Sequence, residues 1–228
     1  MSLFEGKFFL AAALTAVLSY LIGSVSFAII VSRLGAQEDV RNYGSGNAGM
    51  TNILRNYGKK MAAFTAVGDF GKALVAVALG RLIFRMLGVE ALDGGYIAGL
   101  FALLGHLFPV YFGFRGGKGV LTSLGVMLML NPLVFILCMI PLLPIVFLTK
   151  IVSLTVCIGY IVFPIVTLII DTFVRHLPSH ARLFDFFFVL CLAFLGMVMH
   201  RANIVRLLHG TEYKFGQKKP DEPGEGGH

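Results

Sequence analysis

The sequence predicts an all-α fold: a polytopic membrane bundle of about seven transmembrane helices. Three observations predict it. The 228 residues are 57% hydrophobic and 14% charged, against roughly 45–50% apolar and about 25% charged in soluble domains. Mean hydropathy is +0.84. The apolar residues also gather into runs close to the roughly 20 residues that a helix needs to cross a bilayer, with the charges mostly between the runs.

Taken in order, the candidate spans are 8–32, 61–87, 94–112, 120–131, 132–149, 152–171 and 184–200. The stretch from Phe8 to Leu34 exceeds the roughly 7–15 apolar residues of a signal-peptide core and ends in no clean small-x-small site, so it reads as the first spanning helix. The second span carries Asp69 and Lys72 at i, i+3. Charges inside a span are expensive, and a mutual ion pair near the interface is the simplest account of these two. Gly95 and Gly99 form G-x-x-x-G, which suits close helix packing. Asn131-Pro132 divides the run 120–149, because proline disfavours helix in the residue before it. Two helices are therefore expected there, the first of them short or re-entrant. Residues 1–216 read as one transmembrane domain. Residues 217–228, rich in Lys, Pro, Glu and Gly, read as a disordered polar tail.

Net charge is +7. In a membrane chain the positive-inside bias accounts for this, so no nucleic-acid partner is implied. Seven spans put most Lys and Arg residues, from Arg33 to Lys219, on one side. The other side keeps only Lys7, Arg81, Arg85, Arg175 and Arg182. The N-terminus is then outside and the C-terminus cytoplasmic. Cys138, Cys157 and Cys191 lie in apolar runs without CxxC spacing, which suggests packing rather than metal or disulfide chemistry.

With that topology, three polar stretches fall on the cytoplasmic side. The first is Gly44-Ser45-Gly46-Asn47-Ala48-Gly49-Met50-Thr51-Asn52 with Arg55. Its literal G-x-G-x-x-G lacks the strand and βαβ unit that a dinucleotide site needs. What remains is a glycine-rich turn with Ser45, Asn47, Thr51, Asn52 and Arg55 as candidate ligands, the last three placed to share a helix face. A loop that merely caps the next helix is the plainer alternative. The second stretch, Gly105-His106 through Arg115-Gly116-Gly117-Lys118-Gly119, opens a helix. Backbone N–H groups without a Cβ in the way, a helix N-terminus and a lysine all favour an anion such as phosphate. It is no Walker A loop, since Phe112 and Gly119 occupy that motif's first Gly and its Ser/Thr positions. A flexible turn with a topogenic cation is the plainer reading. The third stretch places His200, Asn203 and Arg206 at i, i+3, i+6, and histidine titrates near neutrality. Ser153, just past Lys150, is a hydroxyl at the same membrane edge.

Other chemistries fit less well. His180 and Asp185 have the H-x-x-x-x-D spacing of the soluble-type glycerolipid acyltransferases, but on the opposite side from the three stretches. There is no H-E-x-x-H, no carboxylate cluster for a metal and no nucleophile elbow. A transporter of a phosphorylated solute is the rival class, but the motifs all share one face and no internal repeat is apparent.

The three stretches resemble the signature motifs of the bacterial acyl-phosphate:glycerol-3-phosphate acyltransferases, the PlsY family. Gly44-Ser45-Gly46-Asn47-x-Gly49-x-Thr51-Asn52 is similar to the first motif. Gly105-His106-x-Phe108-Pro109-Val110 with Phe114-Arg115-Gly116-Gly117-Lys118-Gly119-Val120 is similar to the second. His200-Arg201-x-Asn203-Ile204-x-Arg206-Leu207-Leu208-x-Gly210-Thr211-Glu212 is similar to the third. Val152-Ser153-Leu154, and Asp69 with Lys72, match family positions too, and Leu121 departs from the usual Ala. The resemblance runs from Tyr20 to about Glu212. It implies acyl transfer from acyl phosphate to the 1-hydroxyl of sn-glycerol 3-phosphate, giving lysophosphatidic acid and phosphate for phospholipid synthesis. Acyl-carrier protein, coenzyme A, cofactor and metal are not required. It places the enzyme in the bacterial inner membrane among lipid. His200, Asn203, Lys118 and Arg55 would be catalytic. Ser45, Asn47, Thr51, Asn52, Gly116, Gly117, Gly119, Ser153 and Arg206 would bind substrate.

Overall fold

The computed structural model describes residues 3–214, so the tail expected to be disordered lies outside the described residues. Nine α-helices and no strand occur among the described residues: α1 (Leu3–Gly23), α2 (Phe27–Ala36), α3 (Met50–Met86), α4 (Gly94–Leu107), α5 (Val120–Leu130), α6 (Pro132–Thr149), α7 (Val152–Phe173), α8 (Ser179–Met199) and α9 (Arg201–Leu208).

The first expected span is two helices, not one. The chain breaks at Ser24-Val25-Ser26 and continues in the same direction, antiparallel to α3. Gly80 of α3 lies by Thr15, Gly68 by Phe27, and Gly35 by Met61. A break at membrane depth leaves carbonyls that something must satisfy. Lys72 of α3 does so for Val25, with Nζ donating to the carbonyl at 2.7 Å. α3 itself starts well before residue 61. It bends at Gly58, whose φ of 84° suits only glycine, and the arm before the bend belongs to the first polar stretch.

α4 is the axis about which the bundle packs, with twelve of its residues buried. Small residues make this possible. Gly94 meets Phe84, Gly99 meets Val126, and Gly105 meets the backbone of Tyr20 and Gly23. Gly95 and Gly99 thus serve helix packing. The helix stops at Leu107 rather than 112 because the chain turns at Pro109. Tyr20 Oη donates to Phe108 O at 2.7 Å and fixes that turn.

α5 and α6 are separate helices, as Asn131-Pro132 led us to expect. The Asn131 side chain accepts from the N–H groups of Leu133 and Val134, and Pro132 sits where its missing N–H is harmless. The last long helix starts at Ser179, five residues earlier than expected.

Among the described residues six segments are long and apolar enough to cross a membrane: 6–36, 50–86, 94–112, 132–149, 152–173 and 179–199. α5 has 11 residues, about 16 Å of rise, against a hydrocarbon core of about 30 Å. It still joins the two ends because the loop before it dips inward. Gly116 N–H donates to Leu107 O and Gly117 N–H to His106 O, so the chain runs back alongside α4 before α5 begins.

Candidate active site

The three polar stretches meet at one end of the bundle. Apolar packing seats the first: Val40, Ala48 and Ile53 are buried with Ala28 and Ile29 of α2. Asn52 then fixes its course. The Asn52 amide donates to the carbonyls of Val40, Tyr43 and Asn47, and its oxygen accepts from Ser45 N–H and Asn56 Nδ2. The buried Asn52 side chain is therefore occupied by the loop itself. The expected shared face of Thr51, Asn52 and Arg55 is split: Asn52 points inward, while Thr51 and Arg55 are exposed. Ser45 is exposed and Asn47 half-buried at the turn.

Arg41 joins this loop to the second. Its guanidinium pairs with Asp39 at 2.8 Å and donates to Phe112 O and Arg115 O. The hydrogen bonds from Arg41 hold the Asp39 carboxyl well below the usual carboxylate range, against the opposing effect of burial. Ala48 N–H donates to Gly116 O, which closes the seam. Gly116 and Gly117 are glycines for want of space. A Cβ on Gly116 would strike the His106 carbonyl, and one on Gly117 would strike His106 Nε2 and Ala48 O. Their N–H groups, expected to face an anion, are taken by the α4 carbonyls. The open N–H groups are those of the first turn of α5, before Ser123, whose N–H donates to Gly119 O. Gly119, with φ of 80°, makes the turn into that helix.

From this loop Lys118 reaches the third stretch, with Nζ donating to Asn203 Oδ1 at 2.5 Å. Asn203 Nδ2 donates to Glu212 Oε1 and Arg206 Nε to Glu212 Oε2, both at 2.7 Å. Partial burial lowers the Lys118 pKa, and the Arg206 and Arg55 charges lower it further while Glu212 opposes them. Lys118 thus feels two further cations, of which Arg206 is paired with Glu212.

His200 sits at the corner between α8 and α9, so it does not continue one helical face with Asn203 and Arg206. It is buried, its ring 6.0 Å from that of Tyr160. Its Nδ1 lies 2.8 Å from Gly196 O. A carbonyl only accepts, so Nδ1 carries hydrogen and Nε2 of the neutral ring keeps a lone pair. Burial lowers the His200 pKa below 6.5. The Gly196 hydrogen bond opposes this and the Lys118 charge adds to it. Ser153 Oγ, near the start of α7, is buried with no hydrogen-bond partner among the described residues.

The sequence reading missed Glu212 as part of the site, and Arg41 and His106 as its supports. Glu212 had a signal: it closes the third stretch nine residues after Asn203. The H-x-x-x-x-D pair lies at the opposite end, where Asp185 is buried 3.5 Å from Arg175. Among the described residues no group of three or more His, Cys, Asp or Glu is placed to hold a metal ion.

The sequence model of the family described as glycerol-3-phosphate acyltransferase matches residues 13–210. A glycerol-3-phosphate acyltransferase of Clostridioides difficile (strain 630) is 42% identical over 204 residues, which is 90% of this chain and 95% of that protein. One from Neisseria meningitidis serogroup A is 43% identical over 201 residues, 88% of this chain and 96% of its own. The crystal structure of PlsY (YgiH), an integral membrane glycerol 3-phosphate acyltransferase, superposes in its glycerol 3-phosphate form with a TM-score of 0.75 and 34% identity, covering 90% of this chain and 96% of that one. The lysophosphatidic acid form gives 0.73 and 32%, with 90% and 95% covered. The chain spans nearly the full length of these proteins, and it belongs to the glycerol-3-phosphate acyltransferase family, as an all-helical, multi-pass membrane enzyme.

Proposed function

We propose that this enzyme moves a fatty acyl group from acyl phosphate to the 1-hydroxyl of sn-glycerol 3-phosphate, without acyl-carrier protein or coenzyme A. The observation that carries this reading is the excess of cations: Lys118 lies within reach of the charges of Arg55 and Arg206, of which Arg206 pairs with Glu212, at the mouth of a helix N-terminus. Such a site suits two phosphate groups, and acyl phosphate and glycerol 3-phosphate bring one each. The glycerol 3-phosphate and lysophosphatidic acid forms of the related PlsY agree with it. The end-to-end passes favour seven crossings, with α5 completing one from the inward-dipping loop. The excess of Lys and Arg favours placing the site end in the cytoplasm and the N-terminus outside, in a bacterial inner membrane.

The acyl carbonyl of acyl phosphate is a mixed anhydride, already activated and bearing a good leaving group. The substrate hydroxyl attacks it, the new ester C–O bond forms, and the C–O bond to phosphate breaks. No covalent enzyme intermediate is needed. Lys118 and the first turn of α5 hold one phosphate, while Arg55 with His200 and Asn203 hold the other. Ser45, Asn47, Thr51 and Ser153 orient the substrates; Asn52 acts by holding the first loop in place. Gly116, Gly117 and Gly119 act by letting the second loop lie close against α4. Arg206 acts through Glu212, which it and Asn203 share. Alignment of two bound reactants is worth roughly 7–11 kcal/mol of barrier.

The hydroxyl proton passes to the departing phosphate. His200 has a free Nε2 but no carboxylate to orient it. Because burial lowers its pKa from the ordinary histidine value, His200 gains charge only at a lower pH than a free histidine does. Removal of a general base costs roughly 10²–10⁴-fold. Purified protein assayed with palmitoyl phosphate and glycerol 3-phosphate, with chelator present, is expected to release lysophosphatidic acid. In His200→Gln, kcat at saturation should fall by less than about 100-fold and the acid limb of the pH profile should remain. A larger fall with loss of that limb assigns the proton to His200. Product from acyl-coenzyme A alone would overturn the donor.

A further inference from the structure

Beneath the glycine loop lies a buried ion cluster that the chemistry above leaves unused. Lys72 Nζ donates to Val25 O at 2.7 Å, pairs with Asp69 Oδ1 at 2.9 Å and meets His106 Nδ1 at 3.0 Å. None of the three side chains is more than 4% exposed. Charges at this depth are expensive, and apolar residues of similar volume often stabilise a protein as well as a buried ion pair does. An Asp–Lys pair alone would also need only α3, yet Lys72 bridges the break between α1 and α2, α3 itself and the end of α4.

The contacts fix a tautomer. An ammonium has three hydrogens and no acceptor, so in its 3.0 Å contact with His106 Nδ1 it is the donor; Asp69 Oδ1, 3.6 Å from that nitrogen, is too far to accept from it. His106 Nδ1 is therefore unprotonated, and the neutral ring carries its hydrogen on Nε2. That nitrogen borders Gly117 on the side where a Cβ would fall, beside Ala48 O. This is the seam where Ala48 N–H meets Gly116 O and where the His106 carbonyl accepts from Gly117 N–H. The same junction holds the preceding turn, through Val110 N–H to Ser24 Oγ.

We propose that Lys72 is a positioning residue that acts through His106. It holds the ring with Nε2–H against the seam between the first two polar stretches, and so sets the geometry in which Lys118 and the first turn of α5 meet a phosphate. The inference rests on the reading of the site given above.

The test uses the full chain in detergent micelles, with ¹⁵N-histidine spectra and kinetics on palmitoyl phosphate and glycerol 3-phosphate. The His106 signal is assigned by its loss in His106→Gln from among six histidines. The wild type should show His106 neutral with hydrogen on Nε2. Lys72→Met should raise KM for one of the two substrates by about tenfold or more, with kcat within about threefold. Lys72→Arg should recover part of this, and His106→Gln, which keeps a donor near the Nε2 position, should lose less than His106→Leu. The double variant Lys72→Met/His106→Leu should be no worse than the poorer single one, as expected of residues acting in series. A His106 ring protonated at Nδ1, unchanged KM in the single variants, or additive losses would overturn the proposal. If Lys72→Met does not fold, the wild-type tautomer and the Lys72→Arg kinetics decide. A wild type that makes no product would instead remove the reading of the site, and the inference with it.

Discussion

The two ends of the bundle both carry ionised groups, and they use them in opposite ways. At the end away from the site, two clusters of polar groups close on themselves. Arg81 pairs with Asp93 at 2.7 Å and donates to Met129 O and Leu130 O, tying the α3–α4 turn to the end of α5. Arg175 sits between two buried carboxylates, Asp171 at 2.7 Å and Asp185 at 3.5 Å. At the site end, Lys118 feels the charges of Arg55 and Arg206, with Glu212 the one carboxylate acting on it among the described residues, and a helix N-terminus opens beside it. The first arrangement holds helices; the second is left with positive charge to offer. The number of charges does not separate structure from function here. What separates them is whether each charge already has its partner within the chain.

Breaking each end should therefore give different symptoms. The largest effect expected is from Lys118→Met: a fall in kcat/KM of about 100-fold or more, as for loss of a principal charge-stabilising donor, with the thermal unfolding midpoint hardly changed. A midpoint that drops along with activity would make Lys118 another structural cation. Arg175→Ala is the converse. It leaves Asp171 and Asp185 buried without their cation, which should destabilise the protein by about 3–5 kcal/mol. Turnover per folded molecule should stay at the wild-type level; loss of turnover in still-folded protein would show that the far end reaches the chemistry. Gly117→Ala sharpens the site end, since its methyl has no room against His106 Nε2 and Ala48 O. We expect KM for one substrate to rise by about tenfold, on the scale of a small misplacement of a binding group. Wild-type kinetics in this variant would mean that the seam can open at no cost. The smallest effect should come from Arg33→Ala. Arg33 pairs with Asp39 at 2.8 Å but is half exposed, and pairs of that kind contribute at most about 1 kcal/mol. Unfolding by denaturant should not distinguish this variant from wild type by more than that.

Much of this was legible in the sequence where the signal was local. Asn131-Pro132 marked a helix boundary, because a proline at N1 and an Asn cap act within four residues. The three polar stretches stood out because glycine and cations are rare in an apolar chain. Other features were illegible for the same physical reason in each case: they depend on partners distant in sequence. Gly23-Ser24-Val25-Ser26 offers a weak stop and cap signal, but does not say that Lys72, 47 residues on, satisfies the Val25 carbonyl at the break. Nothing in Asn52 says that its amide is occupied by Val40, Tyr43 and Asn47. The amides of Gly116 and Gly117 looked open because the carbonyls that take them lie on α4, across the turn at Pro109.

The sequence by itself determined that the chain is a helical membrane bundle, because backbone groups in lipid must bond within their own segment and apolar length follows from that. It also determined which residue types could meet a phosphate. Only the tertiary structure decided which of them are free to do so. A donor hydrogen already engaged within the chain is not offered to a ligand: the first loop takes the Asn52 amide, α4 takes the N–H groups of Gly116 and Gly117, and Lys118, bonded to Asn203 through one of its three hydrogens, still has donors to give, as does the first turn of α5.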